Sequence, residues 1–239
     1  MTVPRTEIFD DAEQFASRGA AWIADLIAAK NGRFRIALTG GETPRALYRE
    51  LGARPQGSVD WTQVEFFWGD ERFVPPKSPA SNYRMARETL LAQIPAREEN
   101  IHPIPTGGDP EDAAWAYEAT LKRTYGAEAL DPARPLFDLV LLGLGDDGHI
   151  CSLLPGSPAL EERRRWAVAV THGRPETRIT LTYPPVQSSR VTAFLVVGEK
   201  KAAAVRAVRA GDLALPGARL QPEGELVWLL DRAAAGLIG

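Results

Sequence analysis

The chain has 239 residues, 44% apolar and 25% charged, a globular composition that excludes a disordered, collagen-like or coiled-coil protein. Its 28 basic and 31 acidic side chains leave a net charge of −3, which argues against a nucleic-acid partner yet leaves local basic residues free to bind a small anion. A single cysteine, Cys151, cannot make an internal disulfide, and without a CxxC pair it points to a reducing compartment.

From the N-terminus onward, MTVPRTEIFDDAEQF mixes acids with apolar residues and lacks the basic-then-apolar pattern of a signal peptide. No stretch approaches the roughly 18 uninterrupted apolar residues of a membrane span. A cytoplasmic protein with no membrane partner is expected. Phe15, Ala16, Trp22, Ile23, Leu26 and Ile27 recur at helical spacing and predict a helix over 10–29. Strands are then predicted at FRIALT (34–39), VEFFWG (64–69), FDLVLLGLG (137–145), RWAVAVT (165–171), RITLTY (178–183), RVTAFLVVG (190–198) and ELVWLLD (225–231). Helical patterns fall between them at 44–51, 82–91, 110–125 and 200–208. Several strands are apolar continuously, as in a sheet covered on both faces. Alternating strands and helices predict an α/β fold: one Rossmann-like domain over 1–239, with a mainly parallel sheet and helices on both faces. The Pro-rich pieces at 74–81, 103–110 and 131–135 are short enough to be loops, and EERRR (161–165) reads as a solvated surface turn.

Four segments place polar residues at strand ends. In ALTGGETPRALY (37–48), Gly40 and Gly41 permit a tight turn, Thr43 is expected to cap the following helix, and Pro44 suits its first position. A helix opening at a strand's carboxyl end offers free N–H groups to an anion, at the sheet edge where ligands of open α/β sheets collect. A plain strand-to-helix connection would read the same. The GK[ST] element of a P-loop is missing. In FFWGDERFVPPKSPASNY (66–83), Arg72 can fork onto a phosphate, and Asp70 can accept from sugar hydroxyls or act on a proton. A surface ion pair is the competing reading.

The segment LVLLGLGDDGHICSLLPG (139–156) contains a formal GxGxxG at Gly143, Gly145 and Gly148. Dinucleotide binding is rejected, because Asp146 and Asp147 would face a pyrophosphate and Pro155 shortens any helix there. What remains is a glycine-built loop with Asp147 and His149 two residues apart. That spacing lets a carboxylate orient an imidazole and stabilise its protonated form, as a general base for water attack requires. A loop histidine with no chemical role fits the same residues. Cys151, amid Ile150, Leu153 and Leu154, reads as a small buried hydrophobe rather than a nucleophile. In FLVVGEKKAAAV (194–205), Lys200 and Lys201 stand at a helix start, where a cation opposes the dipole and asks for an anion, although a solvated helix terminus would read the same. His102, His149 and His172 are not spaced as a metal motif, and there is no GxSxG elbow; no metal and no cofactor is expected.

In their order, TGGETP (39–44), DERFVP (70–75), SNY (81–83), GLGDDGH (143–149), SLLPG (152–156), RITLT (178–182) and GEKKA (198–202) resemble the 6-phosphogluconolactonase family, over nearly the whole chain. The resemblance implies hydrolysis of a phosphorylated sugar lactone in the pentose phosphate pathway; separately, a monomer is expected. It makes His149 the base that activates water and Asp147 its neighbour. It makes Arg72 and Lys201 the phosphate clamp, with Gly40, Gly41 and Thr43 lining the substrate pocket; Asp70 is counted among the substrate-binding residues on its own reading above. Leu154 stands where an aromatic is expected and Gln187 where asparagine is frequent. The wider group includes glucosamine-6-phosphate deaminases and sugar-phosphate sensors, which are the two alternatives. The deaminase pattern has T-G-x-T-P in the first loop and a glutamate five residues after its histidine; here the loop is one residue longer and that position is Leu154. A sensor is expected to carry a DNA-binding module, and the first core helix is predicted to begin near residue 10.

Overall fold

The computed structural model describes residues 4–238; Met1–Val3, part of the segment read above for a targeting signal, and Gly239 lie outside the described residues. The elements in chain order are β1 (Arg5–Phe9), α1 (Ala12–Ala29), β2 (Phe34–Leu38), α2 (Glu42–Gly52), β3 (Val64–Trp68), β4 (Asp70–Arg72), α3 (Asn82–Thr89) and α4 (Pro110–Tyr125). They continue with β5 (Phe137–Leu142), β6 (Ala167–Val170), β7 (Arg178–Leu181), α5 (Tyr183–Gln187), β8 (Ser189–Val196), α6 (Ala202–Arg209), β9 (Glu225–Asp231) and α7 (Arg232–Ala235).

Local chemistry accounts for the helix ends. Asp11 caps α1 by accepting from the Gln14 N–H, Ser81 caps α3 through Arg84, and Asp109 precedes Pro110 at the start of α4. Gly126 closes α4 in the left-handed conformation at φ 80°, so this helix spans the predicted 110–125.

Six strands form one parallel sheet in the order β1-β9-β8-β5-β2-β3. Successive side chains point to opposite faces, and every residue of β3 and β5 is buried, so both faces are covered as the continuous apolar runs predict. Aromatic rings fill the layers: Phe194 of β8 stacks on Trp228 of β9 at 4.1 Å between centroids, and Phe67 of β3 meets Phe137 of β5 edge-on at 5.5 Å. A second, antiparallel sheet, β4-β7-β6, stands apart from the parallel one.

Several expectations are corrected. β1 and β4 were not predicted: β1 is an edge strand with a largely open burial pattern, and β4 has only three residues. The segment 137–145 leaves the sheet at Leu142, and Tyr183, read as a strand end, opens α5, whose two prolines occupy the first turn. The predicted 200–208 helix begins as a 3-10 turn at Glu199–Lys201. EERRR is not simply solvated. Arg165 lies 3.1 Å from the centroid of the Trp115 ring and pairs with buried Glu118 at 3.0 Å, so its planar cation covers apolar surface while its charge is matched.

The order of the sheet fixes where a ligand can enter. From β2 the chain advances outward to β3, whereas β5 leads the other way to β8 and β9, so the winding reverses between β2 and β5. The loops leaving those two strands diverge at their carboxyl ends and open a crevice. The Gly143 N–H donates to Thr39 Oγ1 across it at 3.2 Å.

Candidate active site

A cavity of about 320 Å³ occupies the crevice, and Gly40, Gly41, Thr43, Asp70, Arg72, His149 and Lys201 all line it. Asp147, the remaining predicted residue, stands one layer behind, against His149. Strand β4 and the segments following β2, β5 and β8 thus converge although their residues are up to 161 positions apart in the chain.

The first loop differs from expectation in one respect. Gly41, at φ 102°, is the N-cap of α2, and Thr43 lies inside the first turn. A glycine with positive φ turns the chain directly into the helix, and no side chain caps the leading N–H groups. Those groups stay available to an anion in the cavity. Tyr48 pins the junction: its hydroxyl accepts from the Thr39 N–H and donates to the Thr39 carbonyl, both at 3.0 Å. Gly40 is required by a close approach, because a Cβ there would collide with the Asn82 amide.

Beyond β3, Glu71 turns inward. Its buried carboxylate accepts from the N–H groups of Arg72, Asn82 and Tyr83 and from Ser81 Oγ, and it anchors the start of α3 against β4. Burial pushes the Glu71 carboxyl up from its ordinary value against the lowering effect of those bonds. Asp70 is 5% exposed and accepts from Ser152 Oγ at 2.6 Å and Asn82 Nδ2 at 3.3 Å, with Arg178 Nη1 3.8 Å away. Arg72 donates through Nη1 to the Ala80 carbonyl, while its buried Nε has no protein partner. Arg178 of β7 presents another such Nε, and burial pulls its guanidinium down from the ordinary value despite the opposing charge of Asp70. Unpaired buried donors of this kind ask for an acceptor.

The glycine loop after β5 forms no helix, in agreement with the rejection of a dinucleotide site. The Gly148 N–H bonds to the Gly145 carbonyl and the Gly145 N–H to the His149 carbonyl, which folds 145–149 into a tight turn. Asp147 and His149 meet within it at 2.5 Å between Oδ1 and Nδ1. With the Nδ1 proton shared with the carboxylate, Nε2 carries the free lone pair. No hydrogen bond engages Nε2 among the described residues. Burial raises the Asp147 carboxyl, yet the hydrogen bond and charge of His149, followed by Arg174, bring it down from 3.8 to about 2. Lys201 lines the cavity and pairs with Asp146 at 2.6 Å, whereas Lys200 is exposed and outside it. The Cys151 thiol, in the cavity wall, is pushed well up by burial, which disfavours the nucleophilic thiolate.

Three participants escaped the sequence reading. Asn82 and Arg178 fall inside the SNY and RITLT segments, which marked them without giving them a role. Arg174, whose Nη2 donates to Asp147 Oδ2 at 2.7 Å, lies in a loop with no recognisable pattern, and only the fold brings it there. Gln187, by contrast, ends α5 and accepts from the Gln221 N–H, and it does not line the cavity.

A parallel α/β sheet whose crevice combines cationic side chains, an uncapped helix start and a carboxylate-bound histidine defines a protein built to act on a small anionic substrate. The chain belongs to the family of glucosamine-6-phosphate isomerases/6-phosphogluconolactonase, whose model matches residues 10–228. It is 43% identical to the 6-phosphogluconolactonase of Synechocystis over 97% of both chains. The 6-phosphogluconolactonase from Trypanosoma cruzi superposes with a TM-score of 0.85 at 28% identity, over 99% of this chain and 97% of that one. A monomeric glucosamine-6-phosphate deaminase shares the fold, with a TM-score of 0.80 at 22% identity over 98% and 99% of the two chains.

Proposed function

We propose that the protein hydrolyses 6-phospho-D-glucono-1,5-lactone to 6-phosphogluconate in the oxidative pentose phosphate pathway, as a cytoplasmic enzyme using neither metal nor cofactor. The observation that carries this reading is the Asp147–His149 pair in the wall of a cavity that also holds Arg72 and Lys201. The substrate's phosphate meets Arg72, Lys201 and the N–H groups opening α2 beside Gly40, Gly41 and Thr43, exchanging Asp146 for phosphate at Lys201. Asp70, fixed by Ser152 and Asn82, stands where sugar hydroxyls pass.

Water then attacks C1 as His149 Nε2 takes its proton, and Asp147 stabilises the imidazolium that results. The tetrahedral oxyanion needs hydrogen-bond donors, and the N–H groups of Gly143 and Gly145 are already committed to Thr39 and His149, so those two are not its donors. The imidazolium finally returns its proton to the departing ring oxygen. A lactone is an activated acyl group, so no covalent intermediate is required. We read the enzyme as a monomer, each chain of 26.1 kDa working alone.

The test is proton release with 6-phosphoglucono-δ-lactone, corrected for spontaneous hydrolysis. Acceleration by the wild type and its loss in His149→Gln, by roughly 10²–10⁴ in kcat as for a missing general base, is the expected result. An active His149→Gln removes this mechanism. Sedimentation during the same assay should give the single-chain mass.

A further inference from the structure

His149 and Asp147 do not stand alone: the loop between β6 and β7 brings in Arg174. Its Nη2 lies 2.7 Å from Asp147 Oδ2 and 3.2 Å from His149 Nδ1. Both carboxylate oxygens of Asp147 are therefore engaged, Oδ1 by the imidazole and Oδ2 by the guanidinium. A carboxylate held at one oxygen can swing about its side-chain torsions, and one held at both keeps its plane. The loop that delivers Arg174 is itself seated. Gly173, exposed and at φ 84°, lies over Leu154, where a Cβ would come within 2.9 Å of Leu154 Cδ1, and at the loop's far end the Phe73 N–H donates to the Thr177 carbonyl at 2.8 Å. Leu154, buried at 4% exposure, thereby acquires a purpose: where the deaminase pattern has an acid, this chain has an apolar seat for a loop carrying a cation.

We infer that Arg174 is a positioning residue for the reaction, completing an Arg174–Asp147–His149 chain that holds the Nε2 lone pair toward the water that attacks the substrate's ester carbon. It works through Asp147 and touches neither the phosphate nor the reacting atoms. The inference rests on the hydrolytic reading above. Losing the guanidinium frees Asp147 to rotate, and misplacing a catalytic group by about 1 Å costs on the order of 10²-fold in rate.

The experiment compares Arg174→Ala, Arg174→Lys and His149→Gln on the phosphorylated lactone and on unphosphorylated glucono-δ-lactone, with thermal unfolding followed in parallel. In Arg174→Ala, kcat is expected to fall by roughly 10- to 100-fold on both substrates while KM stays near the parent value, because the chain acts on the ester common to both. Arg174→Lys restores part of the rate, as does guanidinium added to Arg174→Ala below denaturing concentrations. A merely structural role would lower the unfolding midpoint without this kcat-specific loss and would not be rescued. Should Arg174→Ala fail to fold, the Nδ1 proton resonance of His149 in Arg174→Gln decides: it sharpens or shifts little if Arg174 is idle, and broadens or moves if it holds the pair. A rise in KM confined to the phosphorylated substrate would make Arg174 a phosphate contact and overturn the proposal, as would an unchanged kcat. If His149→Gln is dead while Arg174→Ala is fully active, only this inference fails; if His149→Gln is active, the general-base mechanism fails with it, and if the wild type does not accelerate hydrolysis, the hydrolytic reading itself fails.

Discussion

Asp147 keeps its charge far into acid because its hydrogen bonds and pairing with His149 and Arg174 outweigh its burial, and its pH dependence follows from that balance. Its carboxyl titrates at about 2 in the folded chain against 3.8 for the ordinary group. A depressed native pKa contributes stability that is fully present above 3.8 and is lost as pH falls through about 2. The Asp147→Asn variant is therefore expected to be less stable than its parent at neutral pH, with the gap closing between those two values. Urea unfolding across that range measures it, and a gap that stays constant would detach the charge from the effect. The difference is small, since the Asp147 side chain is 39% exposed and solvent screens its pairs. Cys151 makes a contrasting case. It alone among the described non-glycine residues has a positive φ, 48°, and its thiol is held protonated by burial. It fills space in the cavity wall beside Gly69, so Cys151→Ala should hydrolyse lactone near the parent rate; a collapse of kcat with the fold intact would reinstate it as a chemical participant.

Among the elements, the turn after β5 shows how backbone shape makes a site. Gly145 must lack a side chain because a Cβ would run into His149 Nδ1 and come within 2.5 Å of Asp147 Oδ1. Gly145→Ala is expected to lower kcat by on the order of 10²-fold, the scale of an ångström's misplacement, with little change in KM for the phosphate-bearing substrate. Circular dichroism and the unfolding midpoint should remain close to the parent, since the clash falls on cavity-side groups rather than on the sheet. Near-parent kcat would mean that the pair tolerates displacement.

Continuous apolar runs revealed β3, β5 and the covering of the sheet, and the helical pattern over 110–125 matches α4, whose ends are fixed by Asp109, Pro110 and Gly126 within a few residues of chain. β4 was invisible for the opposite reason. Its residues, Asp70 to Arg72, are strand only because β7 pairs with them, so Asp70 and Arg72 could be placed at the sheet edge while their small antiparallel sheet could not. Thr43 was misassigned as a cap because a glycine with positive φ leaves no side-chain signature of capping. Arg174 could not be found at all, since its meaning lies entirely in the contact with a residue 27 positions earlier.

For the whole molecule, the fold does not choose the reaction, since a glucosamine-6-phosphate deaminase shares it at a TM-score of 0.80. The choice rests on what surrounds the histidine. Ring opening and proton transfer at C2 need a second acid–base group beside the imidazole, and the position that holds the deaminase's glutamate is Leu154, buried beneath Gly173. A leucine exchanges no proton. Arg174, next to Gly173 in the same loop, presents only donors and cannot serve as the missing base. A lactone needs neither group, because its acyl carbon is open to water from a single base. Lactone hydrolysis with no ammonia release from glucosamine-6-phosphate and no aldose–ketose exchange is the expected outcome, read by a coupled ammonia assay and by solvent deuterium at C2. Restoring the acid with Leu154→Glu should not create a deaminase, because a carboxylate there would also unseat the Gly173 loop and meet the Arg174 guanidinium, which would pair with it instead of Asp147. Lactonase activity in that variant should fall with kcat, and ammonia production at a rate comparable to the parent's lactone hydrolysis would show that the fold, with one acid returned, is sufficient for the other chemistry.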